Sequence, residues 1–366
     1  MSIPFHRRAL ASAVCVCLFS TSAFAQSADE ADDDDAVLVT ATRQPMRANE
    51  LLSDTTVIGK KEIEAAGPAS TVTDLLSRQP GLEVKADGGP GSSSSVFMRG
   101  TSAQQTLVLI DGMRVGSASL GYANWAAIPL QQIERIEILR GSASSLYGAD
   151  AVGGVVQLFT RKGKGKPTFY GEAGIGSHHA ATVSAGFSGS LNDVSYSLNV
   201  ANQSTRGFSA TKRESYNYNP DHDGFRKQSA SGRLAWRILP GHEIGATILY
   251  SEDKADYDSR ANADDYREER LSALSLYSEN QLSDIWTSTL RIGQTVDQSR
   301  AYDGYPSPGR NDKKLKTTRN QYQWQNDLKL PVGTALFALE KVEEKLSASD
   351  HYAKTRRDVK SVLAGW

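Results

Sequence analysis

From about residue 167 onward, apolar and polar residues alternate along the chain. Ala181, Val183, Ala185 and Phe187 alternate with Thr182, Ser184, Gly186 and Ser188. Val194, Tyr196, Leu198 and Val200 alternate with Ser195, Ser197 and Asn199. Leu234, Trp236 and Ile238 share one face of a further strand, and Ile244, Ala246, Ile248 and Tyr250 of another. Tyr322, Trp324, Leu328 and Leu330 repeat the pattern against Gln321, Gln323, Asp327 and Lys329. Period two with one apolar face predicts half-buried β-strands. Each predicted strand is about ten residues long, as a tilted bilayer span needs. Tight turns at 191–193, 240–242, 283–284 and 331–333 alternate with polar loops at about 203–226, 253–268, 299–316 and 343–356. Short turns on one side, long loops on the other, and tyrosine and tryptophan near strand ends predict a transmembrane antiparallel β-barrel rather than a soluble sandwich.

Residues 49–166 have a different texture. Val72, Leu75 and Leu76 stand at helical spacing within 71–78, and Pro80-Gly81 stops the helix. Leu107 to Ile110 is a short buried-strand run ending at the turn pair Asp111-Gly112, and Ile136 and Ile138 alternate with Glu137 in another strand. This predicts a compact α/β domain at 49–166, followed by the barrel strands at 167–366.

The start of the chain changes the picture again. Arg7 and Arg8, the apolar stretch 9–19 and Ala23-Phe24-Ala25 predict a signal peptide at 1–25, cleaved after Ala25. Both cysteines, Cys15 and Cys17, fall inside it. The mature chain then has no disulfide, no thiolate nucleophile and no cysteine-ligated metal. Residues 26–48 begin as an acidic arm, Asp29 to Asp35. Over the 366 residues the formal net charge is -1, which gives no footing for nucleic-acid binding. The mean hydropathy is -0.42. No run in the mature chain supplies the roughly 20 apolar residues of a spanning helix.

Strand counting raises a geometric difficulty. The pattern yields roughly ten strands between Thr168 and Trp366, and only barrels of about 22 strands enclose a plugging domain. Either the α/β domain sits outside, or these strands are part of a wider barrel. The alternation Val362-Ala364-Trp366 is weak, and we read Trp366 as a chance imitation of a terminal aromatic.

A series of motifs carries the function. Val37-Leu38-Val39-Thr40-Ala41-Thr42 follows the acidic arm, β-branched and alternating, and reads as a peptide able to add to another sheet's edge or as the domain's own first strand. Downstream come 72–82 (VTDLLSRQPGL), 96–100 (VFMRG), 107–112 (LVLIDG), 133–141 (IERIEILRG) and 144–156 (SSLYGADAVGGVV). In this order they resemble the plug of TonB-dependent outer-membrane receptors, and Val37 to Thr42 resembles their TonB box. Within that family the chain is most similar to the cobalamin (vitamin B12) receptors, through "VLVTATR", the 88–92 turn and the layout of the first barrel loops. The alternatives are a siderophore or other TonB-dependent receptor, or a non-functional truncated receptor fragment. The resemblance implies an energy-transducing TonB partner, an outer-membrane lipid environment and cobalamin meeting the plug at Ser93, Ser95, Ser102, Leu120 and Gly121. These are also ordinary turn residues.

The long loop after the third barrel strand carries Asn219-Pro220-Asp221-His222-Asp223-Gly224, with oxygen ligands at alternate positions and a glycine for the turn. Ala230 stands where an EF-hand needs its bidentate Glu, so this is not an EF-hand. By resemblance, Asp221 and Asp223, with Tyr257 and Asp258 of the next loop, are expected to hold Ca2+. A solvated acidic loop is the plain alternative. His178-His179 reads as a turn, and Lys162, Lys164 and Lys166 as a hinge. No nucleophile–base arrangement suggests an enzyme.

Overall fold

A computed structural model describes residues 38–41, 43–44, 46–47, 53–259, 263–302, 304 and 312–366. The expected signal peptide and acidic arm, with Val37 and Thr42, lie outside them.

The N-terminal part builds a small mixed sheet. Two-residue strands β1 (Leu38–Val39) and β2 (Met46–Arg47) pair with each other. Next come β3 (Thr55–Ile58), α1 (Lys60–Ala65) and α2 (Val72–Ser77). The predicted helix at 71–78 is thus present. Thr71 caps it in a reciprocal box with Asp74, which satisfies two orphan donors at its start. Strands β4 (Leu82–Ala86) and β5 (Ser94–Met98) form a hairpin. Then follow β6 (Thr106–Ile110), β7 (Met113–Val115), β8 (Ile133–Arg140), α3 (Ser144–Tyr147) and β9 (Gly154–Thr160). The sheet order is β3-β8-β9-β6-β7, with β6 and β9 parallel. Every residue of β6 and β9 is buried, as in a sheet covered on both faces.

Ten further strands form one antiparallel sheet in chain order: β10 (Thr168–Gly176), β11 (Ala180–Leu191), β12 (Val194–Thr205), β13 (Phe225–Leu239), β14 (His242–Asp256), β15 (Tyr266–Ser283), β16 (Trp286–Tyr302), β17 (Lys313–Leu330), β18 (Gly333–Ala348) and β19 (Arg356–Gly365). The ten-strand expectation holds. The expected strand length does not: β13 to β18 run 15 to 18 residues. The long connections shrink accordingly, to 206–224, 257–265, 303–312 and 349–355. Beyond the apolar band both faces of a strand are polar, so the period-two signal ends while backbone pairing continues.

One face of this sheet packs on the N-terminal sheet. Leu249, Leu271 and Ala273 join the core of Ile58, Leu75, Met98, Ile128 and Ile138. Gln132, wholly buried, donates to Ser229 Oγ at 3.1 Å and accepts from Ser231 Oγ at 2.7 Å. Arg291 donates to Asp111 O at 2.6 Å, and Thr295 to Arg114 O at 2.9 Å. The strands therefore wrap around the α/β domain, which plugs their concave side.

The other face carries the exposed apolar side chains, and their arrangement is oblique to the strand rows. The row Trp236–Ile244–Ser278–Leu290–Trp324–Leu339–Val362 is largely apolar throughout. The row Ile248–Leu274–Gln294–Asn320–Glu343 starts apolar and ends charged. The upper edge of the apolar band thus drifts toward the short-turn end between β14 and β18. Strands tilted by 35–45° to a bilayer normal produce such a drift. No helix among the described residues is long and apolar enough to cross a membrane.

Candidate functional site

At the long-loop end the plug turn 87–93 faces two barrel loops across a cavity of about 180 Å³. Asp87 to Ser93 line one side; Ala210, Thr211, Asp223 and 255–258 line the other. Arg267 of β15 bridges them: its guanidinium donates to Ser93 Oγ and lies 5.2 Å from the centre of the Tyr257 ring. Two glycines permit the close approach. Gly91 has φ +82 and sits so near the Phe225 ring that a Cβ would collide with it. Gly207, at φ +66, lies against Asp223 O, where a Cβ has no room.

Within this wall the carboxylates of Asp221, Asp223 and Asp258 converge, with ligand oxygens within 4.8 Å of one another. Local turns hold them. Asp223 accepts from Ala210 N at 3.0 Å, Asp258 from Ser209 Oγ at 3.3 Å, and Asp221 from Asn219 Nδ2 at 2.9 Å. Burial pushes the Asp223 carboxyl up to about 6, against the Ala210 N–H, and Asp258 and Asp221 add to the rise. Burial also raises Asp221, followed by the charge of Asp258. Hard oxygen donors that crowd and repel one another around the buried Asp223 fit a divalent cation. Tyr257 lies on the cavity wall beneath Arg267. Nearby, Asp265 accepts from Gly304 N at 2.7 Å. Glu268 accepts from Tyr302 OH at 2.9 Å.

The five expected ligand contacts do not share one wall. Ser93 faces the cavity just described. Ser95 lies in β5 opposite Lys85. Ser102 caps the turn 103–105 with Gln105. Leu120, 44% exposed, and Gly121 belong to the loop 116–122, where Gly121 lines a second cavity of about 290 Å³ with Arg114, Asp150, Arg319 and Glu344. Ala118 N donates to Thr317 Oγ1 at 2.8 Å, tying this loop to β17. His178-His179 is a turn, both residues having positive φ.

Thr40 and Ala41, within the segment expected to be the TonB box, dock on the N-terminal sheet. Glu137, centred in β8 and wholly buried, accepts from Thr40 N at 2.7 Å and Ala41 N at 2.8 Å. Its other oxygen pairs with Arg135 at 3.0 Å. Burial pushes its carboxyl above the ordinary value despite Arg135 and these donors. Just beyond, Arg43 pairs with Glu340 of β18 at 2.5 Å and lies 4.5 Å from the centre of the Tyr147 ring. Its carbonyl accepts from Gln325 Nε2 at 2.7 Å. Arg114 joins the same Glu340 at 3.0 Å. Reading Glu137 as the polar half of an alternation missed this role. The available signal was an acid flanked by isoleucines in a strand whose neighbours are apolar on both faces.

Comparison with known proteins gives a consistent answer. The model of the TonB-dependent Receptor Plug Domain matches residues 47–155. The vitamin B12 transporter BtuB of Photobacterium profundum is 31% identical over 339 residues, covering 91% of this chain and 54% of that protein. A counterpart in Vibrio vulnificus is 33% identical over 280 residues, covering 75% and 44%. The chain therefore spans about half the length of the curated relatives it matches. Among solved structures, FpvA of Pseudomonas aeruginosa bound to pyoverdine matches with a TM-score of 0.68 at 15% identity, over 89% of this chain and 48% of that one. The siderophore receptor PirA of Acinetobacter baumannii matches with a TM-score of 0.64 at 20% identity, over 85% and 53%. At these identities the structural likeness is one of fold. A plug domain, ten consecutive barrel strands wrapped around it and relatives named as vitamin B12 transporters lead to one conclusion: the chain belongs to the TonB-dependent outer-membrane receptor family.

Proposed function

We propose that this chain forms the plug and first barrel strands of a receptor that imports cobalamin across the outer membrane, using energy delivered by a TonB protein. The observation that carries the substrate is the identity of 31% with a vitamin B12 transporter over 91% of the chain. The mouth supports it: a plug turn and acidic loops brought together at one end of the strands can offer many weak contacts to a large ligand resting over them.

Each part of the chain then has a task. Asp221, Asp223 and Asp258 hold Ca2+, which would neutralise their repulsion and fasten the 206–224 and 257–265 loops to each other. Tyr257 shapes the wall beside it. Ser93, Ser95, Ser102, Leu120 and Gly121 present ligand contacts from the plug. Val37 to Thr42 pairs with the TonB partner by strand addition. Pulling that segment removes the Thr40 and Ala41 donors from Glu137 and the Arg43 partner from Glu340. Plug and wall then lose a shared ionic contact, and the plug can rearrange. The protein makes and breaks no covalent bonds in this cycle.

The test is equilibrium cobalamin binding by the full receptor with calcium and with chelator. Saturable binding that weakens on chelation is the expected result. Absence of saturable binding in both conditions would overturn the cobalamin assignment.

A further inference from the structure

Beneath the mouth, the inner face of the wall carries oxygen atoms that neither ligand binding nor energy coupling uses. Leu249 and Leu271 join the plug core, which fixes the inward face of β14 and β15. Ser251 and Asp253 follow Leu249 on that face, and Glu269 precedes Leu271. Register sets Asp253 directly opposite Glu269, with Lys227 of β13 on its other side. Directly opposed like charges repel. Ser251 is 0% exposed, Asp253 2% and Glu269 5%. Among the described residues, Ser251 Oγ, both carboxylate oxygens of Asp253 and Glu269 Oε2 have no hydrogen-bond partner. Glu269 Oε1 is taken, by Ser299 Oγ at 3.0 Å and by the Arg267 guanidinium at 3.7 Å. Four orphaned oxygens thus sit on three neighbouring residues of two paired strands. Ionised carboxylates buried in this way are strongly unfavourable.

The basic groups nearby do not relieve them. Lys227 is buried, and its ammonium lies 5.3 Å from the centre of the Phe225 ring, which is itself wedged against Gly91 of the plug. Arg267 is turned toward Ser93 and Tyr257. Asp297 of β16 is a third buried inward carboxylate, diagonal to Glu269, and Arg319 of β17 is committed to Glu344 at 2.5 Å. Asp253, Glu269 and Asp297 therefore face only Lys227 and Arg267, and one positive charge is wanting. A water molecule could donate to the orphaned oxygens but brings no charge. A divalent ion would overshoot and be repelled by Lys227 and Arg267. Hard oxygen donors and a deficit of one charge suit a small alkali cation.

We propose that Ser251, Asp253 and Glu269 bind one small monovalent cation of the sodium type between the barrel wall and the plug. The ion bridges β14 and β15, and through Glu269 and Arg267 it is linked to Ser93 of the plug turn. It shares no residue with the group of Asp221, Asp223 and Asp258, and it rests on the geometry of the wall and not on the cobalamin reading.

Thallium(I) is the probe. Crystals of the full receptor, grown with chelator and without sodium, are soaked in thallium(I) acetate and measured at the thallium absorption edge. An anomalous peak between the Asp253 and Glu269 carboxylates is expected, and excess sodium should remove it. In detergent solution with chelator, thermal unfolding is compared in sodium chloride and in choline chloride at equal ionic strength. The midpoint is expected to lie a few degrees higher in sodium. D253N and E269Q should lose that difference, and D223N should keep it. Heat-modifiable electrophoretic mobility checks that each variant is folded, and the wild-type comparison decides alone where one is not. Ordinary water density with no anomalous peak would overturn the proposal. So would a peak without stabilisation by sodium, which would mark an adventitious ion only. Loss of the sodium effect in D223N would also overturn it, by moving the ion to the loops.

Discussion

Asp223 joins burial to carboxylate crowding, so its charge state bears directly on any cation held beside it. Its carboxyl is pushed up to about 6 from an ordinary value near 3.8, first by burial. A raised carboxyl gives up its proton late. Ionising it in the folded loop is therefore unfavourable as pH rises from about 4 to about 6. A divalent cation needs the ionised form, so it competes with that proton. Calcium affinity is expected to rise from pH 5 to pH 7, with proton release on binding near pH 6, measurable by calorimetry in buffers of different ionisation enthalpy. The variant D223N is expected to flatten that dependence. Glu137 is the second residue of this kind. Its oxygen receives two backbone donors and one hydroxyl from Thr40 and Ala41, and hydrogen bonds to a charged acceptor contribute about 1.5–3 kcal/mol each. In E137Q the segment 38–41 is expected to be exposed more often. A cysteine placed at the buried Ala41 should label with maleimide several-fold faster in that background. Unchanged labelling would show that Glu137 does not retain the segment. The acidic pair at 221 and 223 was legible from spacing alone. The partnership of Asp258 came from the family resemblance. The docking of Thr40 on Glu137 was not legible, because nothing local marks which strand a mobile segment will cover.

At the scale of elements, the turns and strand count were legible and the strand ends were not. The signals at 191–193, 240–242, 283–284 and 331–333 all fall at tight reversals, because glycine, proline, asparagine and aspartate mark them chemically. Strand ends at the loop side carry no such mark, since pairing continues through residues polar on both faces. The oblique apolar band yields a direct test. Ile248 and Asn320 belong to one hydrogen-bonded row, yet only Ile248 lies within the band. Ile248→Arg is expected to cost about 2 kcal/mol or more, and Asn320→Arg about 0–1 kcal/mol. Reversible unfolding in lipid bilayers reads both; equal costs would contradict the tilt. The plug turn offers another. A methyl group at Gly91 would collide with the Phe225 ring while holding φ +82. Gly91→Ala is expected to cost about 1–3 kcal/mol and to weaken ligand binding several-fold, read by thermal unfolding and by equilibrium binding.

For the whole molecule, the sequence posed a question of volume: ten strands cannot enclose the preceding domain. The fold resolves it without placing that domain outside. The ten strands curve around the plug as part of a wider wall, with Leu249, Leu271 and Ala273 completing the plug's own core. Among the described residues β10 and β19 do not pair with each other, and exposed strand edges in a bilayer leave backbone groups unsatisfied. On the proposed reading, function at this scale belongs to the full receptor: a ligand mouth at the long-loop end, and deeper in the molecule Thr40 and Ala41 clasped by Glu137, with Arg43 held by Glu340 midway along β18. The most direct test of the account is uptake of labelled cobalamin by cells in which the full receptor is the sole route, with and without residues 37–42. The account predicts that surface binding persists after the deletion while uptake falls to background. Uptake that survives the deletion would contradict it.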